Sequence, residues 1–101
     1  MIEEFELNTD IKFMNTEKLK IVVMLDVNGS TKKLLNASDT FTDFGFQPAK
    51  DEVIEIQPLG ALDKAIINDD LEIEKDQLRV KVTKRDFDYP AHTLRLYCAV
   101  Y

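Results

Sequence analysis

Apolar and polar positions alternate most cleanly between Leu19 and Val27. Leu19, Ile21, Val23, Leu25 and Val27 share one face, with Lys20, Val22, Met24 and Asp26 on the other. A period of two over that length predicts a β-strand. Its second face is half apolar, which predicts a central strand partly covered on both sides rather than a wet edge. Leu78 to Thr83 alternates with Arg79, Lys81 and Thr83 outward, and Thr93 to Tyr101 with Leu94, Leu96, Cys98 and Val100 on one face. Both read as strands.

Shorter alternations mark Glu3 to Leu7, Ile11 to Met14, Thr31 to Leu35, Val53 to Gln57 and Leu71 to Glu74 as further strands. Asn28-Gly29 after the strongest strand predicts a type I′ hairpin, because both residues tolerate positive φ. Pro58 ends its strand by removing a ladder donor. Glu74 to Gln77 reads as a second tight connection, and Asp86 to Pro90 as the last loop, with Tyr89 held extended by the following proline. Leu62 to Ile67 fits one helical turn or a short strand equally well. Together these elements predict an all-β fold, a mostly antiparallel β-sandwich or small barrel of about seven to nine short strands with at most one helical turn.

Residues 36–51 carry no period and hold three phenylalanines, Phe41, Phe44 and Phe46. They predict a long loop, either plugging the end of the fold with its rings or presenting them to a protein partner. With Tyr97 and Tyr101 on the last strand, these rings are the candidate protein-binding residues. A strand that closes the chain can lie at a sheet edge and pair with a neighbour.

Length and composition narrow the function classes. At 101 residues the chain is expected to be a single domain over 1–101, with 45% hydrophobic and 32% charged residues, ordinary for a globular protein. No stretch approaches the roughly 20 apolar residues that cross a bilayer, and the acidic start Met1-Ile2-Glu3-Glu4 does not read as a secretory leader. The expected setting is the cytoplasm or an assembled particle, with no membrane contact. A formal net charge of −6 argues against nucleic acid as a partner. The basic cluster Arg79, Lys81, Lys84 and Arg85 is the exception, either a solvated strand face or a surface that steers an acidic patch on another protein.

Chemistry-bearing residues are scarce. The single His92 and single Cys98 lie six positions apart, roughly 20 Å along an extended strand, too far for proton transfer. Cys98 falls on an apolar face and reads as a packed hydrophobe. Zinc needs several Cys or His ligands, and the acidic turns at Asp69, Asp70 and Glu72 or at Asp86 and Asp88 lack calcium-loop spacing. No metal, no cofactor and no catalytic residue is therefore predicted, and the expected protein is not an enzyme.

Two stretches carry resemblances. Ser38 to Phe46 resembles a segment in the terminal β-sandwich domain of some glycoside hydrolases related to β-galactosidase and β-mannosidase, over about a tenth of the chain. That likeness implies a non-catalytic accessory domain. Asp70-Leu71-Glu72-Ile73, Leu78-Arg79-Val80 and Leu94-Arg95-Leu96 are similar to the closing strands of small head-to-tail joining proteins of tailed phages, which implies an assembly subunit. The leading expectation is a non-enzymatic protein-binding or assembly module, contacting a protein partner or copies of itself. The alternatives are a β-barrel holding a small ligand and the accessory sandwich domain.

Overall fold

The computed structural model describes residues 19–67 and 77–101. In chain order the elements are β1 (Lys20–Val27), β2 (Ser30–Leu34), α1 (Leu35–Phe44), β3 (Val53–Ile56), α2 (Ala61–Ile67), β4 (Leu78–Asp88) and β5 (Thr93–Val100). The strands form one sheet in the order β2-β1-β5-β4-β3, antiparallel between neighbours except for the parallel pair β1–β5. This mixed α/β architecture corrects the all-β sandwich or barrel read from the sequence. Where a second sheet was expected, helices α1 and α2 lie on one side of a single sheet. The strands predicted at Glu3 to Leu7, Ile11 to Met14 and Leu71 to Glu74, and the turn at Glu74 to Gln77, fall mostly or wholly outside the described residues.

The alternation in β1 behaves as read: Ile21, Val23 and Leu25 are fully buried, and Val22 on the opposite face is also buried. The β1–β2 hairpin turns on Asn28 (φ 52°) and Gly29 (φ 82°), both in the left-handed region that a type I′ turn requires. Leu94, Leu96 and Cys98 of β5 and Leu78, Val80 and Val82 of β4 complete the apolar layer under the helices. The last strand is not an edge. It sits between β1 and β4, so its backbone is paired on both sides.

One correction concerns the end of β4. Asp86 to Pro90 was expected to be a loop, yet β4 runs to Asp88 and the connection shrinks to the turn before Thr93. A bulge between Val82 and Lys84, where Thr83 Oγ1 donates to the Tyr97 carbonyl (3.1 Å), reverses the phase of the side chains and hides the continuation.

The largest correction is α1, in place of the long loop. Ala37, Ser38 and Phe41 are its buried face, at the spacing of one helical stripe. Its end is a Schellman motif: Gly45 is left-handed (φ 64°, ψ 32°), its N–H bonds the Thr42 carbonyl (3.2 Å), and the Phe46 N–H bonds the Phe41 carbonyl (2.9 Å). The rings of Phe41 and Phe46 meet edge to face at 5.0 Å across this motif. Two of the three phenylalanines therefore stop the helix. Ser38–Phe46 consequently has no β-sandwich geometry, which removes the structural basis of its likeness to glycoside hydrolase accessory domains.

Helix α1 also completes β1, whose first residues extend beyond β2. Thr42 Oγ1 accepts from the Ile21 N–H (2.9 Å) and donates to the Ile21 carbonyl (3.0 Å). One turn earlier, Ser38 Oγ accepts from the Val23 N–H (2.8 Å) and donates to the Leu34 carbonyl (2.6 Å), so a hydroxyl bridges the two strands where the ladder ends. These hydroxyls satisfy backbone groups that would otherwise be buried without partners.

Cys98 is 1% exposed, and burial pushes its thiol up from 9.0 to about 11. The unfolded chain releases this proton first, so the contribution of Cys98 to stability is constant below about pH 9 and falls as pH rises towards 11, by up to about 2–3 kcal/mol. Denaturant titrations at pH 8 and 10.5 are expected to show a smaller loss for Cys98→Ala than for the parent chain, and the native thiol is expected to resist alkylation at pH 8. Equal losses, or rapid native labelling, would contradict the burial.

Candidate functional site

The most organised polar group among the described residues joins the starts of the two helices. The residue before α1 is Leu34, which offers no side-chain cap. The free N–H groups at this helix start are instead met by Asp63, 26 and 27 positions along the chain: Oδ1 accepts from the Asn36 N–H (2.9 Å) and Oδ2 from the Ala37 N–H (2.8 Å). Asn36 returns the arrangement. Its Oδ1 accepts from the N–H groups of Leu62 (3.0 Å) and Asp63 (3.3 Å) in the first turn of α2. Each helix therefore supplies the other's cap, with a carboxylate at the positive end of the α1 dipole. Asp63 is completely buried. Gly60 lies over the clasp so closely that a Cβ there would overlap the Asn36 side chain, which explains a glycine at this position without any demand for positive φ.

Beside the clasp opens a cleft of about 400 Å³ between α1 and the end of β3. Ala37, Thr40 and Phe41 of α1 form one wall, Glu55, Ile56 and Gln57 the other, and Pro58 and Gly60 close the end at the clasp. Gln57–Pro58 is a cis peptide. The cleft is lined by residues that point to both faces of β3, so it runs past the edge of that strand that has no strand partner among the described residues.

The ladder phase fixes which groups that edge presents. The Val82 N–H bonds the Glu52 carbonyl (3.0 Å), and Val80 and Leu78 oppose Ile54 and Ile56. Every second residue of an antiparallel strand faces its partner, so the N–H and C=O groups of Val53 and Glu55 point out of the sheet. The opposite edge, β2, carries Lys32 and Lys33, the kind of charge that blunts strand pairing. On β3 the only charged residue is Glu55, and Val53 is 40% exposed.

The predicted contact residues do not form one surface. Phe41 is a core residue that also lines the cleft, Phe46 packs on it, and Phe44 alone projects, 82% exposed. Tyr97 lies half-buried on the sheet face opposite the helices, with Lys84 Nζ 5.3 Å from its ring centre, and Tyr101 is exposed after β5. The reading from sequence missed Asn36, Gly60 and Asp63 because their partners are distant in the chain. It also missed the ring cluster at the β4–β5 turn, where the exposed Phe87 ring meets exposed Tyr89 at 5.9 Å and half-buried His92 at 6.4 Å. His92 has φ 53°, and its carbonyl accepts from the Lys20 N–H (3.1 Å).

The clasp has little chemistry left over. Both Asp63 oxygens are engaged by backbone donors, and Asn36 Oδ1 by two more. Among the described residues no group of three or more His, Cys, Asp or Glu is placed to hold a metal ion, and no helix is long and apolar enough to cross a membrane. No family model, curated protein or solved structure matches the chain.

Proposed function

We propose that this chain is a non-enzymatic protein-binding domain that takes an extended segment of a partner along β3, in the cleft against α1. The observation that carries this reading is the outward-facing N–H and C=O groups of Val53 and Glu55 beside a largely apolar groove. An added strand would gain main-chain hydrogen bonds from that edge, and its alternate side chains would enter the groove over Phe41 and Ile56. On this reading the domain works in the cytoplasm or within an assembled particle, which suits a lone buried thiol and no disulfide.

Selection of random 12-residue peptides against the immobilised domain tests the reading. Proline at an edge position removes one outward N–H while leaving the ladder bonds of Ile54 and Ile56 in place. Glu55→Pro is therefore expected to weaken a selected peptide at least about tenfold, equivalent to about 1.4 kcal/mol, while Glu55→Ala leaves it nearly unchanged. Peptides bound equally by Glu55→Pro and the parent chain would refute strand addition.

A second reading is favoured by the cleft volume alone, which falls in the range of small-ligand sites. A small apolar molecule would fill the groove without using the strand edge, so its binding would survive Glu55→Pro and be blocked by Ala37→Phe.

A further inference from the structure

The sheet face turned away from the helices carries charge opposite in sign to the chain as a whole. The register places Lys33 of β2, Lys20 of β1, Arg95 of β5 and Arg79, Lys81 and Lys84 of β4 on it, against Asp26, Glu55, Asp86 and Asp88. Asp86 and Asp88 are both drawn to Arg95, at 3.8 and 3.3 Å, and so leave the lysines uncompensated by these two. On a chain of net charge −6 this is a cationic field.

The field has a defined shape. The cross-strand row Lys33–Met24–Tyr97–Lys84 runs over β2, β1, β5 and β4, and the next row towards the C-terminal end of β5 holds Ala99 and Lys81. Lysines thus stand on two banks, Lys33 on one and Lys81 and Lys84 on the other. Met24, Tyr97 and Ala99 lie half-buried between them, with Val22 behind. Three strand spacings separate the banks, about 14 Å, close to the width of an α-helix with its side chains, about 10–12 Å. Lys84 is held at the margin of the strip by the Tyr97 ring. Glu55 lies outside both rows, and Asp26 faces Ala99 and Thr31 at one end of the strip.

From this juxtaposition we infer that this sheet face docks an acidic amphipathic helix of a partner protein, its apolar side on Met24, Tyr97 and Ala99 and its carboxylates reaching the two lysine banks. Charge complementarity of this kind steers encounter and fixes orientation. The surface is separate from the cleft, so either can fail without the other.

The test is a ¹⁵N NMR titration with an 18-residue amphipathic helix of Leu and Glu, and with the same peptide carrying Lys in place of Glu. The acidic peptide is expected to perturb Met24, Lys33, Lys84 and Tyr97, to lose affinity as salt rises from roughly 50 to 500 mM, and to bind Glu55→Pro at least as tightly as the parent chain, since that variant removes a carboxylate from this face. The exposed pair Lys33→Glu and Lys84→Glu, combined, is expected to weaken it tenfold or more with an otherwise unaltered spectrum. If the double variant is perturbed throughout its spectrum, Lys33→Glu alone is expected to weaken the peptide several-fold. Absence of binding, equal binding of the lysine peptide, or shifts confined to α1 and β3 would overturn the assignment. So would tighter binding of phosphatidylserine vesicles or single-stranded DNA than of the acidic peptide.

Discussion

Asp63→Ala is expected to lower the unfolding free energy by about 3–5 kcal/mol. The substitution removes two charge-assisted hydrogen bonds and leaves the N–H groups of Asn36 and Ala37 without partners. Each such group buried without a partner costs about 1–3 kcal/mol, and loss of a helix cap alone about 0.5–2 kcal/mol. Asp63 itself is completely buried, so both bonds are made out of contact with bulk solvent. Asn36→Ala is expected to cost less, since Leu62 is exposed and its N–H can turn to solvent. Urea denaturation followed by circular dichroism gives both values, and a loss below about 1 kcal/mol for Asp63→Ala would mean that the two helix starts are held by packing and not by the reciprocal caps.

The second large effect separates two phenylalanines three positions apart. Phe41→Ala removes a ring that is 7% exposed, packs in the core and closes the Schellman motif with Phe46. The expected cost is about 3–5 kcal/mol, the range for truncating a buried aromatic. Phe44→Ser, at a ring 82% exposed, is expected to stay within about 0.5 kcal/mol of the parent chain. Thermal melts of the two variants check this directly. A comparable loss at both positions would mean that the exposed ring, too, has a packing partner.

That contrast also marks what the sequence could express. The strands were legible wherever one face was buried: the alternation of β1 and β5 and the apolar setting of Cys98 follow from a period of two, and the Asn28-Gly29 turn from two residues that tolerate positive φ. Helix α1 was not. Its interior holds Asn36, Ser38, Asp39, Thr40, Thr42 and Asp43, residues that favour turns and caps over helix. The cap that starts it comes from Asp63, and two of its polar side chains are bonded to β1, so the signals that stabilise it lie in other segments. Gly45 was the one local sign, a helix stop that was readable only with the start in view. The end of β4 was hidden for a different reason. The bulge at Thr83 changes the phase, and Lys84 to Asp88 extends past the helix-covered core, where no apolar alternation is required. The cleft was illegible because it is made by two elements brought together through the clasp.

The position of β5 has a consequence for how the chain reaches its fold. Among the described residues the two antiparallel pairs, β1 with β2 and β3 with β4, are not paired with each other; β5, which follows all four in sequence, joins them. During synthesis Leu25 and Val82 therefore wait with their apolar faces half covered until residues 93–100 leave the ribosome. The closing event pairs strands about seventy positions apart, a long-range contact of the slow-forming kind. The nascent domain is accordingly exposed to wrong strand partners late in translation, and a ribosome paused before β5 would hold two incomplete sheets in place of one.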